Sequence, residues 1–210
     1  MEMTSLEHHP SKVSNWPELL MIVGGLLMAV LWPLFTVLHG PTSFNRDQHF
    51  LGRDPLFWGM LMSAPASLMI AFGLIARYPL LARVDRKAKF GFVLLLVGLA
   101  ISATVDLITV SLGPPFMVPL IAIGCLLLGV SHRKKDILPN PSWRMLLFLG
   151  ILMTLAVLSF FIPIEVLDRY YGYRIYGILT NLLFGLGLAV FGLSLWSNKR
   201  QKVKSIKEKV

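Results

Sequence analysis

Residues 90–111 read FGFVLLLVGLAISATVDLITVS, and this stretch decides the fold. Its 22 residues hold one ionisable side chain, Asp106. At 1.5 Å rise per residue a helix of this length spans ~33 Å, enough for a hydrocarbon core of ~30 Å. The same pattern recurs on both sides. Apolar stretches run from Pro17 to Leu38, Leu56 to Arg77, Phe90 to Ser111, Phe116 to Ser131, Met145 to Ile162 and Tyr173 to Trp196. A soluble chain of 210 residues has no use for six such stretches. The sequence therefore predicts an all-α membrane protein, a bundle of six transmembrane helices in a multi-pass cell-membrane protein.

Composition agrees with this reading. Hydrophobic residues make up 55% of the chain and charged residues 15%, which leaves no room for a separate soluble domain. Three segments are expected: a short N-terminal segment over 1–16, the transmembrane domain over 17–197 and a basic tail over 198–210. The first apolar stretch follows sixteen mostly polar residues and lacks an A-x-A-like cleavage site, so it reads as a permanent span and not a signal peptide.

The positive charge is distributed unevenly. Sixteen basic residues fall on one alternating set of connections: Lys12, the Arg77–Lys89 loop, the Arg133–Arg144 region and the tail from Lys199. Only Arg46, Arg53, Arg169 and Arg174 fall on the other. The positive-inside rule then places both termini in the cytoplasm. The net charge of +9 follows from this asymmetry, so no nucleic-acid partner is expected. Anionic lipid at the cytoplasmic face is the expected partner of the tail. Loop Arg77–Lys89, with Leu80 and Leu81 among its charges, is expected to lie along the interface.

Lipid tails are as apolar as leucine, so helix association depends on small residues that let backbones approach. Residues at i and i+4 share a helix face. The second span offers Gly59, Ser63, Ser67 and Ala71; the third Gly98, Ser102 and Asp106; the sixth Gly177, Asn181, Gly185 and Ala189. Shorter pairs are Gly25-Ala29 and Gly150-Thr154. These stripes are expected to face the bundle interior. Pro33, Pro65 and Pro119 are expected to interrupt three spans.

Chemistry is sparse. There is no H-E-x-x-H motif, P-loop, C-x-x-C pair or G-x-S-x-G elbow. No histidine pair lies in mid-membrane to hold haem, and no lysine lies within a span. No cofactor and no catalytic residue are predicted. His39, Asp47, His49 and Asp54 would suit zinc by ligand type, but their spacing matches no ligand pattern, and solvated loop residues account for them. No metal is predicted.

Asp106 carries the functional expectation. It lies ~7.5 Å below the outer end of its helix, with Ser63 and Asn181 ~10 Å deep on two others. An ionised aspartate at such depth is costly unless paired or hydrated. The expected site is a small outward-facing polar cavity around Asp106, Ser63, Ser102 and Asn181, with Arg174 or Tyr176 above. It would bind or transport a small polar or cationic solute. Two other readings stand beside it. One is a non-catalytic accessory, assembly or sensory subunit, with a homo-oligomeric or membrane-complex partner. The other is an outer-face enzyme using Asp106 with Glu165, Asp168 or His39, for which no spacing singles out a reaction.

Overall fold

A computed structural model describes residues 14–39, 51–53, 55–110, 117–135, 137–159, 161 and 177–207. Their regular structure is helical: α1 (Trp16–His39), α2 (Pro55–Ala76), α3 (Tyr78–Leu81), α4 (Arg86–Thr109), α5 (Val118–Lys135), α6 (Asn140–Ser159) and α7 (Phe184–Lys207), the last preceded by a π-helical segment, Ile178–Leu183. Four helical stretches are long and apolar enough to cross a membrane: Phe57–Ala76, Arg86–Thr109, Asn140–Ser159 and Ile178–Asn198. They mark the chain as a membrane protein. In α1 the corresponding apolar run, Trp16–Leu31, is shorter. Helix α5 ends in His132, Arg133, Lys134 and Lys135, which shortens its apolar part.

The six long helices close into a ring. Helix α1 packs on α2, α2 on α4, α4 on α5, α5 on α6, α6 on α7, and α7 returns to α1. Consecutive helices are therefore neighbours, as short connections favour. Arg77, just past α2, meets Glu18 in the first turn of α1, and Asp85 before α4 meets Ser131 late in α5. Arg133 near the end of α5 lies over Trp143 at the start of α6, so one end of the bundle is basic. Large apolar side chains such as Leu27, Val30, Phe72, Ile101, Ile151 and Leu193 point outward and exposed. In lipid these are the faces that need no protein partner.

Small residues line the inside, as expected. Gly59, Ser67 and Ala71 on α2, Gly98 and Asp106 on α4, and Gly177, Gly185 and Ala189 on the sixth long helix and its entry are buried, while Ser63, Ser102 and Asn181 are half-buried. The closest approach joins α1 to α7. A Cβ on Gly25 would stand 2.5 Å from the Gly185 carbonyl oxygen, and one on Gly185 would stand 2.5 Å from that of Gly25. Ala29 and Ala189 complete this crossing. A second backbone contact pairs Gly91 of α4 with Gly124 of α5.

One expectation needs revision. Pro119 is the second residue of α5, where the missing N–H belongs to a turn that has no intrahelical acceptor anyway, so it interrupts nothing. The Arg77–Lys89 connection contains the short helix α3, and Leu81 and Ala82 are buried in the core. The backbone of α7 continues as helix through Lys207, so most of the basic tail extends the last long helix.

Candidate functional site

Asp106 stands on the buried face of α4, in line with Leu95, Leu99 and Ala103, and is 4% exposed. The helix closes directly above it. Val110 adopts the left-handed conformation, with φ 52°, and its N–H donates to the Asp106 carbonyl. This is an αL helix stop, made by a valine where glycine is the usual occupant. A β-branched residue there costs ~1–2 kcal/mol. Thr109 Oγ1 donates to Val105 O at 2.9 Å, which ties the last turn further.

Ser63 lies on α2, the packed neighbour of α4, so Ser63, Ser102 and Asp106 occupy two helices in direct contact. Asn181 is placed differently. It falls within the π-helical segment, where Phe184 N–H reaches the Leu179 carbonyl five residues back. That segment packs against α1 and α6, on the side of the ring opposite α4. The Asn181 amide donates to Thr180 Oγ1 at 3.1 Å. Ser63, Ser102 and Asp106 thus belong to two adjacent helices, and Asn181 to a segment packed on α1 and α6. Arg174 and Tyr176 lie outside the described residues, as do Asp47, His49, Asp54, Glu165 and Asp168. Among the described residues no group of three or more His, Cys, Asp or Glu side chains is placed to hold a metal ion.

The sequence reading did not anticipate the polar stitching at the basic end. Glu18, in the first turn of α1 and 2% exposed, forms an ion pair with Arg77 just past the end of α2. Asp85 caps α4, accepting from Ala88 N–H at 2.6 Å, and accepts from Ser131 Oγ of α5 at 3.1 Å. The Ala88 bond holds the Asp85 carboxyl below its ordinary range, against some desolvation, with Ser131, Lys87 and Lys135 adding to the effect. Because the folded value is the lower one, this cap stabilises the fold above the unfolded-state pKa. Its contribution is lost as pH falls through the folded-state value.

His132 is fully buried. Its Nδ1 lies 2.8 Å from Leu128 O and its Nε2 3.3 Å from Leu80 O, so it ties α5 to α3. A neutral imidazole has one N–H to donate and satisfies one of these carbonyls; an imidazolium satisfies both. Ser142 and Ser194 bond to one another between α6 and α7. The Glu18–Arg77, Asp85–Ser131, His132–Leu80 and Ser142–Ser194 contacts each join neighbouring elements. A signal existed for one of them: Glu18 opens one span and Arg77 closes the next, so an antiparallel pair brings them level.

No protein-family model, curated protein or solved structure matches this chain.

Proposed function

We propose that this protein binds a small polar or cationic solute, and carries it into or across the membrane, through a cavity that opens away from the basic end, with Asp106 as counter-charge. The observation that carries this reading is the burial of Asp106 inside a helix apolar enough to span a bilayer. Asp106 lies in the last turn of that helix, where an ionised carboxylate is costly unless paired or hydrated. Two departures from regular helix support the reading. Val110 holds a disfavoured backbone conformation one turn from Asp106. The π-helical turn at Asn181 is a form of helix frequently found at functional sites.

The test is a thermal-shift screen of the detergent-purified protein against small inorganic and organic cations and neutral polar solutes. Asp106→Asn is expected to abolish stabilisation by the responding solute and to leave the unliganded melting temperature within a few degrees. Loss of the fold in Asp106→Asn, or retention of the full response, would refute the site.

The same proposal includes six spans in the cell membrane with both termini in the cytoplasm, on the distribution of basic residues. Cysteines introduced at Ser43 and Ser205 report it. Cys125, the single native cysteine, is buried and gives little background. In intact cells an impermeant thiol reagent is expected to label the Ser43 position and to spare the Ser205 position. The reverse pattern would invert the topology.

The accessory-subunit reading draws support from the backbone contacts at Gly25–Gly185 and Gly91–Gly124, which close parts of the bundle tightly. That reading gains if Asp106→Asn alters neither stability nor any solute response. An oligomer or partner membrane protein would then be sought by mild-detergent purification.

A further inference from the structure

The outer side of the α5–α6 turn presents two arginines to one indole. Trp143 lies in the first turn of α6, and its ring N–H donates to Asn140 Oδ1 at 3.0 Å, which fixes the ring. The Arg144 guanidinium carbon is 5.4 Å from the ring centroid, and that of Arg133, near the end of α5, is 5.8 Å from it. Both arginines are exposed and the indole is half-buried. Among the described residues neither guanidinium meets a carboxylate, and the one ion pair is Glu18–Arg77. Asp136 lies outside the described residues.

We infer that this platform is a binding site for the phosphate of an anionic phospholipid headgroup. Two cations drawn to one ring repel each other, and a cation–π contact at an exposed position returns little in exchange. An anion held by these exposed guanidiniums offsets that repulsion. Guanidinium forks match phosphate oxygens in pairs, which a point charge does not. The surroundings favour the same sign of ligand: Lys134 and Lys135 are exposed beside Arg133, and the first turn of α6 contains no acidic residue. The positive end of the α6 dipole adds to the field.

The level of the site selects lipid as the source of the phosphate. Trp143 and Arg144 begin a helix that is apolar enough to span the bilayer, so they sit where chain meets headgroup. Basic pockets between transmembrane helices bind anionic headgroups in this position. Elsewhere at the basic end the arrangement is weaker: Arg83 alone lies over Tyr78, at 5.8 Å. The platform therefore adds a specific seat to the diffuse attraction of a basic surface for anionic lipid.

Native mass spectrometry of the detergent-purified full chain tests the assignment, with phosphatidylglycerol and phosphatidylcholine as titrants. The first phosphatidylglycerol is expected to bind more tightly than phosphatidylcholine. The double variant Arg133→Gln/Arg144→Gln should weaken it by about tenfold or more, as loss of two charge-assisted forked contacts implies. Arg133→Lys/Arg144→Lys keeps the charge and loses the fork, and should fall between. Lys87→Gln/Lys89→Gln removes the same charge from exposed positions of α4 and should leave the first lipid in place. An equal loss in the α4 variant would overturn the proposal, as would equal binding of the two lipids. Displacement of the lipid by millimolar inorganic phosphate would identify free phosphate as the ligand and overturn the lipid assignment.

Discussion

Gly185→Leu is expected to prevent α1 and α7 from closing the ring, with a loss of ~3 kcal/mol or more of stability and failure to accumulate as a folded protein in detergent. The expectation rests on backbone atoms. The first carbon of any side chain at Gly185 would stand 2.5 Å from Gly25 O, 2.6 Å from Ala29 N and 3.1 Å from Ala29 Cα. None of these is the end of a flexible side chain that could swing away. The contact is reciprocal, since a Cβ on Gly25 would meet Gly185 O and Ala189 N. Separation of the two helices is the only relief. In lipid that separation forfeits the close packing that holds helices together, because burying more leucine gives no compensating gain.

The control is Leu186→Ala. Leu186 is the next residue along α7 and is exposed on the lipid side. Its truncation is expected to change stability by no more than ~0.5 kcal/mol. Thermal unfolding in detergent, followed by intrinsic fluorescence or by loss of monodisperse protein, compares the two. Equal effects would mean that the α1–α7 crossing does not hold the bundle.

That crossing shows what a sequence of this kind reveals. The small-residue stripes were legible because only Gly, Ala and Ser allow backbones to touch, and the i, i+4 spacing marked the face. Gly25-Ala29 and Gly185-Ala189 were both visible as stripes. Their pairing with each other was not, since a small residue fits any other small residue. Four spanning helices were legible because the hydrocarbon core demands apolar residues over a fixed length. Their ends were less so. Charge stops hydrocarbon, but it does not stop a helix: α4 begins at Arg86 because Asp85 caps it, and α7 runs on through Lys199 and Arg200.

The burial of Asp106 followed from its position among apolar residues. The π-helical turn at Asn181 did not, because no proline or glycine lies within Ile178–Leu183 to announce it. Val110 was equally silent, since valine is a poor signal for a left-handed stop. The Glu18–Arg77 pair was hidden by an innocent alternative. An acid in the first turn of a helix is ordinarily explained by the helix dipole, and an arginine just past a span by the positive-inside rule.

Arg77→Met is expected to destabilise the protein by ~3 kcal/mol or more, the usual result of removing one partner from a buried ion pair. Glu18 is 2% exposed, and Arg77 is the cation paired with it. Without it the carboxylate is left buried near the end of α1, and even in the intact pair Glu18 Oε2 has no hydrogen-bond partner. Arg77 Nε likewise lacks one, so the pair satisfies only part of its polar capacity. This incompleteness leads to a second expected result. Glu18→Leu/Arg77→Met replaces both charges by apolar groups of comparable size, and buried pairs exchanged in this way are often neutral or stabilising. The double variant should therefore melt well above Arg77→Met and close to the unmodified protein. Additive losses in the double variant would show that each residue contributes independently of the other, and the pair would not be what joins α1 to α2 at the basic end. Recovery in the double variant would leave a sharper question for orientation, which the cysteine-labelling experiment reads in the same background. Removing Arg77 takes one cation from the basic end. Because many other basic residues remain there, the topology should be unchanged while the stability of the single variant falls.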